Sequence, residues 1–210
     1  MKTKLIAAVA LAVAAMGQAQ ADVMFHFSQS GGNVVMQSSG TLNVRNLVSV
    51  PVGGWGNAGV ETHDGNQSDI MGDTMMGSVN LGFTFHQGTN LSQWYSNMFT
   101  TSNFNWTSTG TTQFATYYRN AGLLTPGIGI GSEDLVGASW TPDVSWTKAG
   151  TFASLGLTEG LYKITDIETK ESISILIGGV PPQDVPEPTS LALLGLGLAG
   201  VAAARRKRKA

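Results

Sequence analysis

Between Asp22 and Ile177 the apolar residues recur mainly at every second position, in runs bounded at short intervals by Gly, Asn, Asp and Pro. That spacing confines the chain to β-structure, because period two places one set of side chains on each face of a strand. Val23-Met-Phe-His-Phe-Ser-Gln and Val34-Val-Met-Gln flank Ser30-Gly31-Gly32-Asn33, which reads as a hairpin turn. Leu81-Gly-Phe-Thr-Phe-His places Leu81, Phe83 and Phe85 on one face and Thr84 and His86 on the other. Thr151–Leu157 and Leu161–Asp166 predict further strands, and Ser172–Ile177 alternates before turning continuously apolar, as a strand entering a core does. Leu91–Phe99 is the one modest helical candidate, and Gly53–Met76 breaks the pattern and reads as a long loop or pair of loops. The expected fold is mainly β, an antiparallel β-sandwich or jelly-roll-like ectodomain over residues 22–180.

Both ends carry a different signal. Met-Lys-Thr-Lys precedes an apolar run from Leu5 to Met16 and a small-x-small site at Ala19-Gln20-Ala21. Those are the parts of a secretory signal peptide, residues 1–21, with cleavage expected between Ala21 and Asp22 by signal peptidase. At the other end a Pro-rich linker, residues 181–188, leads into an uncharged apolar segment, 189–204, and a basic tail, 205–210. Sixteen helical residues span roughly 24 Å against a hydrocarbon core of about 30 Å. Snorkelling arginines and interfacial Thr189 and Ser190 would cover the difference, giving one transmembrane helix. The basic cluster belongs on the cytoplasmic side of the inner membrane and the domain on the far side.

Pro186, Glu187 and Pro188, the short Leu/Gly/Ala segment, and Arg205, Arg206, Lys207, Arg208 and Lys209 together resemble the PEP-CTERM sorting signal of Gram-negative bacteria. Thr151–Tyr162 and the strand Glu171–Ile177 resemble the final β-hairpin of such cargo proteins. The resemblance implies an exosortase-type processing enzyme as partner, cleavage near Pro-Glu-Pro, and delivery to the cell surface or an exopolysaccharide matrix.

Charge sharpens the reading once the termini are set aside. Asp22–Val185 holds five basic residues (Arg45, Arg119, Lys148, Lys163, Lys170) and thirteen acidic ones, a net of −8 against −2 for the whole chain. Its net charge argues against a nucleic-acid partner, and its acidity repels polyanions unless a divalent cation bridges them. The absence of cysteine excludes disulfides, thiolate metal sites and a cysteine nucleophile.

Three constellations carry possible chemistry. Asp64, Asn66, Ser68, Asp69 and Asp73 are oxygen ligands at close spacing suited to Ca²⁺; the alternation matches an EF-hand loop at its start and fails at Asp69 and Met75. A solvated turn is the competing reading, and no other cofactor is expected. Trp55, Trp94 and Trp106 lie among Gly, Ser, Thr and Asn, where exposed rings would stack on sugars and buried ones would fill the core. Glu61, Asp64, Glu133 and Asp134 are the carboxylates a glycosidase would draw on, at a separation only the fold can supply. Gly195-Leu-Gly-Leu-Ala-Gly200 matches a dinucleotide fingerprint in letters alone, with no strand before it and no acidic residue after it. With no catalytic motif in the chain, the expectation is an exported surface- or matrix-associated structural or binding protein. The alternatives are a secreted enzyme acting on matrix polysaccharide and a permanently anchored periplasmic protein.

Overall fold

Val23, Phe25 and Phe27 are wholly buried while Met24, His26 and Ser28 between them are not, so the first strand delivers the alternation its sequence promises. At its end Ser30 pairs with Asn33 across a two-residue turn in which Gly31 and Gly32 have φ of 58° and 80°. Positive φ at both central positions matches the right-handed twist of the flanking strands, and glycine adopts it without a Cβ clash. The computed structural model describes residues 22–52, 54–62, 69–75, 77–94, 97–118 and 125–179.

Sixteen strands occur among the described residues. The first eight are β1 (Asp22–Ser30), β2 (Asn33–Ser39), β3 (Leu42–Asn43), β4 (Val48–Val50), β5 (Gly59–Val60), β6 (Asp69–Asp73), β7 (Leu81–Thr84) and β8 (Asn103–Phe104). The rest are β9 (Thr107–Gly110), β10 (Phe114–Tyr117), β11 (Gly127–Ile130), β12 (Leu135–Val136), β13 (Ser139–Trp140), β14 (Val144–Ala149), β15 (Gly160–Thr165) and β16 (Ser172–Ile177). A six-stranded sheet runs β15-β16-β1-β2-β14-β9, a seven-stranded sheet β4-β7-β11-β10-β6-β5-β8, and β12-β13-β3 form a small third. The chain is thus mainly β, in several sheets.

One apolar core joins the two large sheets. Phe25 of β1 stacks on Phe114 of β10 with centroids 4.6 Å apart, and Phe114 stacks in turn on Trp146 of β14 at 5.7 Å. Phe27 meets Phe99, Trp106 and Trp146 edge-on at 6.0, 5.9 and 6.4 Å. Burying each such ring contributes roughly 1.5–3 kcal/mol, so these aromatics dominate the cohesion between sheets.

Several expectations need correction. The pairings are not all antiparallel: β1 runs parallel to β16, from Asp22↔Ser172 to Phe27↔Ile177. First and last strands are therefore neighbours, and the chain leaves the sheet at the end opposite Asp22. Gly53–Met76 is not simply loop, because it contributes β5 and β6 to the seven-stranded sheet. Thr151–Leu157 forms a 3₁₀ turn at Ala153–Leu155 and a single bridge, Phe99↔Leu157, rather than a strand. The described part of Leu91–Phe99 is turn and that bridge, with no helix. Among the described residues no helix is long and apolar enough to cross a membrane. The signal peptide, the apolar segment 189–204 and the basic tail lie outside the described residues.

Candidate functional site

The outer face of the seven-stranded sheet is built from small residues in register. Val50 pairs with Gly82, Gly82 with Gly129, Gly129 with Ala115, Ala115 with Gly72, Gly72 with Gly59, and Gly59 with Phe104. A row of five residues without long side chains crosses the sheet, ending at Phe104. The segment after β4 crosses over this row. A Cβ added to Gly129 would lie 2.4 Å from a Val52 methyl, and one added to Gly72 would lie 2.6 Å from the Trp55 ring. Glycine at these positions lets the chain and the indole sit directly on the sheet backbone. Val52 and Trp55 accordingly pack with Val79, Ala115 and Tyr117 in a second, smaller apolar cluster on this outer face.

Trp55 is held firmly but remains partly exposed. Its indole N–H donates to Asn57 O at 2.8 Å, and the Thr74 hydroxyl reaches Trp55 O at 2.9 Å and Gly56 O at 2.5 Å. Phe104 lies beside it, centroids 6.3 Å apart and planes at 52°, with 40% of its surface exposed. Lys148 Nζ donates to Phe104 O at 2.6 Å, fixing β8 against the six-stranded sheet. At the rim Asn57 Nδ2 donates to Asn105 Oδ1 at 2.9 Å, and Asn105 takes the left-handed φ of 59° that asparagine tolerates. Both amides are exposed.

The other two expected stacking tryptophans are not available. Trp94 is 1% and Trp106 2% exposed, and their indole N–H groups go to Tyr162 O and Asn103 O. Both rings therefore take the core-filling role, one of the two their sequence setting left open.

The expected calcium set also divides. Asp64, Asn66 and Ser68 lie outside the described residues, as do His63, Gly65 and Gln67. Asp69 and Asp73 are the two ends of β6, so their Cα atoms stand about 13 Å apart at roughly 3.3 Å per residue, too far to share one ion. Asp73 moreover is 3% exposed and faces inward, where its Oδ2 accepts the Trp146 indole N–H at 2.7 Å and the Ser108 hydroxyl. Burial raises the pKa of Asp69, and the same burial with Asp69 nearby raises that of Tyr117. Among the described residues no three His, Cys, Asp or Glu side chains are grouped to hold a metal.

Of the glycosidase carboxylates Asp64 lies outside the described residues, and Glu61 is separated from Glu133 and Asp134. Glu61 follows β5, with its N–H on Ile70 O beside Asp69. Glu133 and Asp134 occupy the 3₁₀ turn after β11, where Asp134 Oδ2 accepts the Gln113 N–H at 3.0 Å. The register Phe114↔Asp73 and Phe114↔Ile130 puts that turn at the opposite end of the sheet from Asp69.

Two polar features were not read from the sequence. Asp166, wholly buried in the β15–β16 turn, accepts the backbone N–H of His86 at 2.7 Å, of Glu168 at 3.0 Å and of Thr169 at 2.7 Å. The His86 ring closes the group, Nδ1 lying 3.0 Å from Asp166 Oδ2 and Nε2 3.4 Å from Glu168 Oε2. Burial alone would raise the Asp166 pKa, but hydrogen bonds from His86 and Thr169 outweigh it and hold the carboxyl at about 2. An open depression of about 360 Å³ lies along β15 between Asn90, Gln93, Leu161, Lys163 and Thr165. Lys163 there is paired with Asp22 at 2.7 Å, which cancels its charge.

Residues 184–209 match the family described as the PEP-CTERM protein-sorting motif. The match takes in Pro186, Glu187 and Pro188 and ends with the Arg205–Lys209 cluster, as the resemblance implied. No curated protein and no solved structure matches the chain. The motif implies export, a membrane-associated sorting step and processing by an exosortase-type enzyme.

Proposed function

We propose that this protein is an exported structural or binding protein of the cell surface or exopolysaccharide matrix, carried through the inner membrane and released from its C-terminal signal near Pro186–Pro188. The carrying observation is the sorting motif at residues 184–209, which follows a β-rich domain in the chain. Asp22 is integrated into the fold: its carboxylate meets Lys163 Nζ at 2.7 Å and the Ser174 hydroxyl at 3.1 Å.

The reading assigns the apolar segment 189–204 as a temporary transmembrane helix, with Arg205, Arg206, Lys207, Arg208 and Lys209 as its cytoplasmic stop. The domain is the cargo, a β-sandwich that works by what it contacts. Replacing Arg205–Lys209 with glutamine, or Pro186 and Glu187 with alanine, tests it. Both variants should accumulate unprocessed in the inner-membrane fraction, whereas surface delivery equal to wild type would refute the assignment.

A further inference from the structure

The four tryptophans at positions 94, 106, 140 and 146 are no more than 2% exposed, and the fifth, Trp55, is not. Its neighbours explain why it stays open: Gly54 and Gly56 carry nothing to cover it, while Gly72 lets its inner face settle on the sheet. Beside it Phe104 leaves 40% of its surface in water. Two adjacent partly exposed rings forfeit hydrophobic stabilisation that most of the chain's other large aromatics gain.

We infer that Trp55 and Phe104, rimmed by the side-chain amides of Asn57 and Asn105, form a stacking platform for an uncharged polysaccharide. This inference rests on the reading of the chain as a surface or matrix binding protein and supplies its ligand class. A pyranose ring presents C–H groups on one face and hydroxyls around its edge. The C–H face complements the electron-rich face of an aromatic ring, and the hydroxyls complement amide donors and acceptors placed at the ring edge. The 52° tilt between the rings offers two differently inclined faces, suited to successive sugars of a twisted chain. The platform is set before any ligand arrives, through Thr74 on the Trp55 and Gly56 carbonyls, the indole N–H on Asn57 O, and Asn57 on Asn105. Rings and amides already fixed lose little entropy on binding.

Charge selects among polysaccharides. The exported part carries a net −8, which repels polyuronates and sulfated chains, and a cation beside the platform, Lys148, is hydrogen-bonded to Phe104 O. Two rings also fall well short of the roughly 800 Å² per partner that a stable protein interface needs. An uncharged chain, gripped at low affinity and repeated along its length, fits this small surface.

Native electrophoresis of the protein recovered from its host, through gels carrying hydroxyethylcellulose, galactomannan or alginate, decides the matter. Retardation is expected in at least one of the two uncharged gels and not in alginate. Phe104→Ala and Trp55→Ala should each weaken that retardation about tenfold or more. Val136→Ser, which alters a residue 83% exposed elsewhere, should leave it unchanged. Phe104→Ala keeps the test valid if loss of Trp55 from its glycine seat unfolds the domain, with the urea midpoint of each variant as the control. Normal mobility in both uncharged gels, equal retardation of the folded Phe104→Ala variant, or retardation in alginate of the same size would overturn the inference. Surface-fractionated protein that binds neither uncharged polymer would sink the platform alone, whereas unprocessed inner-membrane protein that does bind would sink the surface reading alone.

Discussion

The Trp146 indole N–H donates to Asp73 Oδ2 at 2.7 Å, so a buried carboxylate on β6 of the seven-stranded sheet is satisfied by a side chain of the six-stranded sheet. Ser108 of β9 donates to the same oxygen, and the Met75 N–H reaches Oδ1 at 3.1 Å. A charged acceptor inside an aromatic core is tolerable only with such donors, and it fixes how the sheets face each other. Asp73→Ala strands the Trp146 and Ser108 donors, and should cost about 2–4 kcal/mol in urea unfolding. Asp73→Asn keeps an acceptor and should cost less.

The Asp166 cluster gives the domain a defined acid response. Its folded-state pKa of about 2 lies below the ordinary carboxylate value near 3.9, so the unfolded chain binds the extra proton over the interval between them. The stabilisation is therefore complete above about pH 4 and is lost as pH falls through 2. Unfolding midpoints from pH 7 to pH 2 should show this loss in wild type, and Asp166→Asn should flatten it while lowering stability at pH 7 by about 2 kcal/mol or more.

The row of small residues under the Val50–Trp55 segment should be intolerant of side chains. Gly72→Val places a branched side chain where a Cβ alone already meets the Trp55 ring at 2.6 Å and Phe114 O at 2.8 Å. Overpacking of this kind costs about 1–3 kcal/mol. Because Trp55 is the ring displaced, quenching of tryptophan fluorescence by iodide should rise in the Gly72→Val protein while it is still folded.

Much of this architecture is legible in the sequence, and the parts that are not share a physical cause. β1, its glycine turn and β16 are readable because Val, Phe and Ile recur at every second position, although in β16 the intervening Ser172 and Ser174 are buried as well. β5, β6 and β11 are not, because their outer-face residues are glycines that another part of the same chain covers. A covered glycine looks in sequence like a loop glycine. Trp94 and Trp106 fill the core, one of the two roles their setting in the sequence left open. The pairing of β1 with β16 joins residues some 150 positions apart, and no local pattern encodes it. The sorting motif is legible because its residues are contiguous in the chain.

Export should leave a defined N-terminus. Edman degradation or terminal peptide mapping of the host-derived protein should begin at Asp22, the first residue of β1. The Lys163–Asp22 pair is partly exposed, at 36% and 29%, so Lys163→Ala should change stability by no more than about 1 kcal/mol and leave processing intact.

The most direct test of the central claim is the intact mass of the protein taken from its native host, measured on the surface or matrix fraction and on the inner membrane. A sorted and processed protein has a mass that starts at Asp22, ends near Pro186–Pro188 and lacks the Arg205–Lys209 cluster, in the surface or matrix fraction. A mass that retains Lys209 and Ala210, found in the inner membrane, would contradict the account and make the C-terminal segment a lasting anchor.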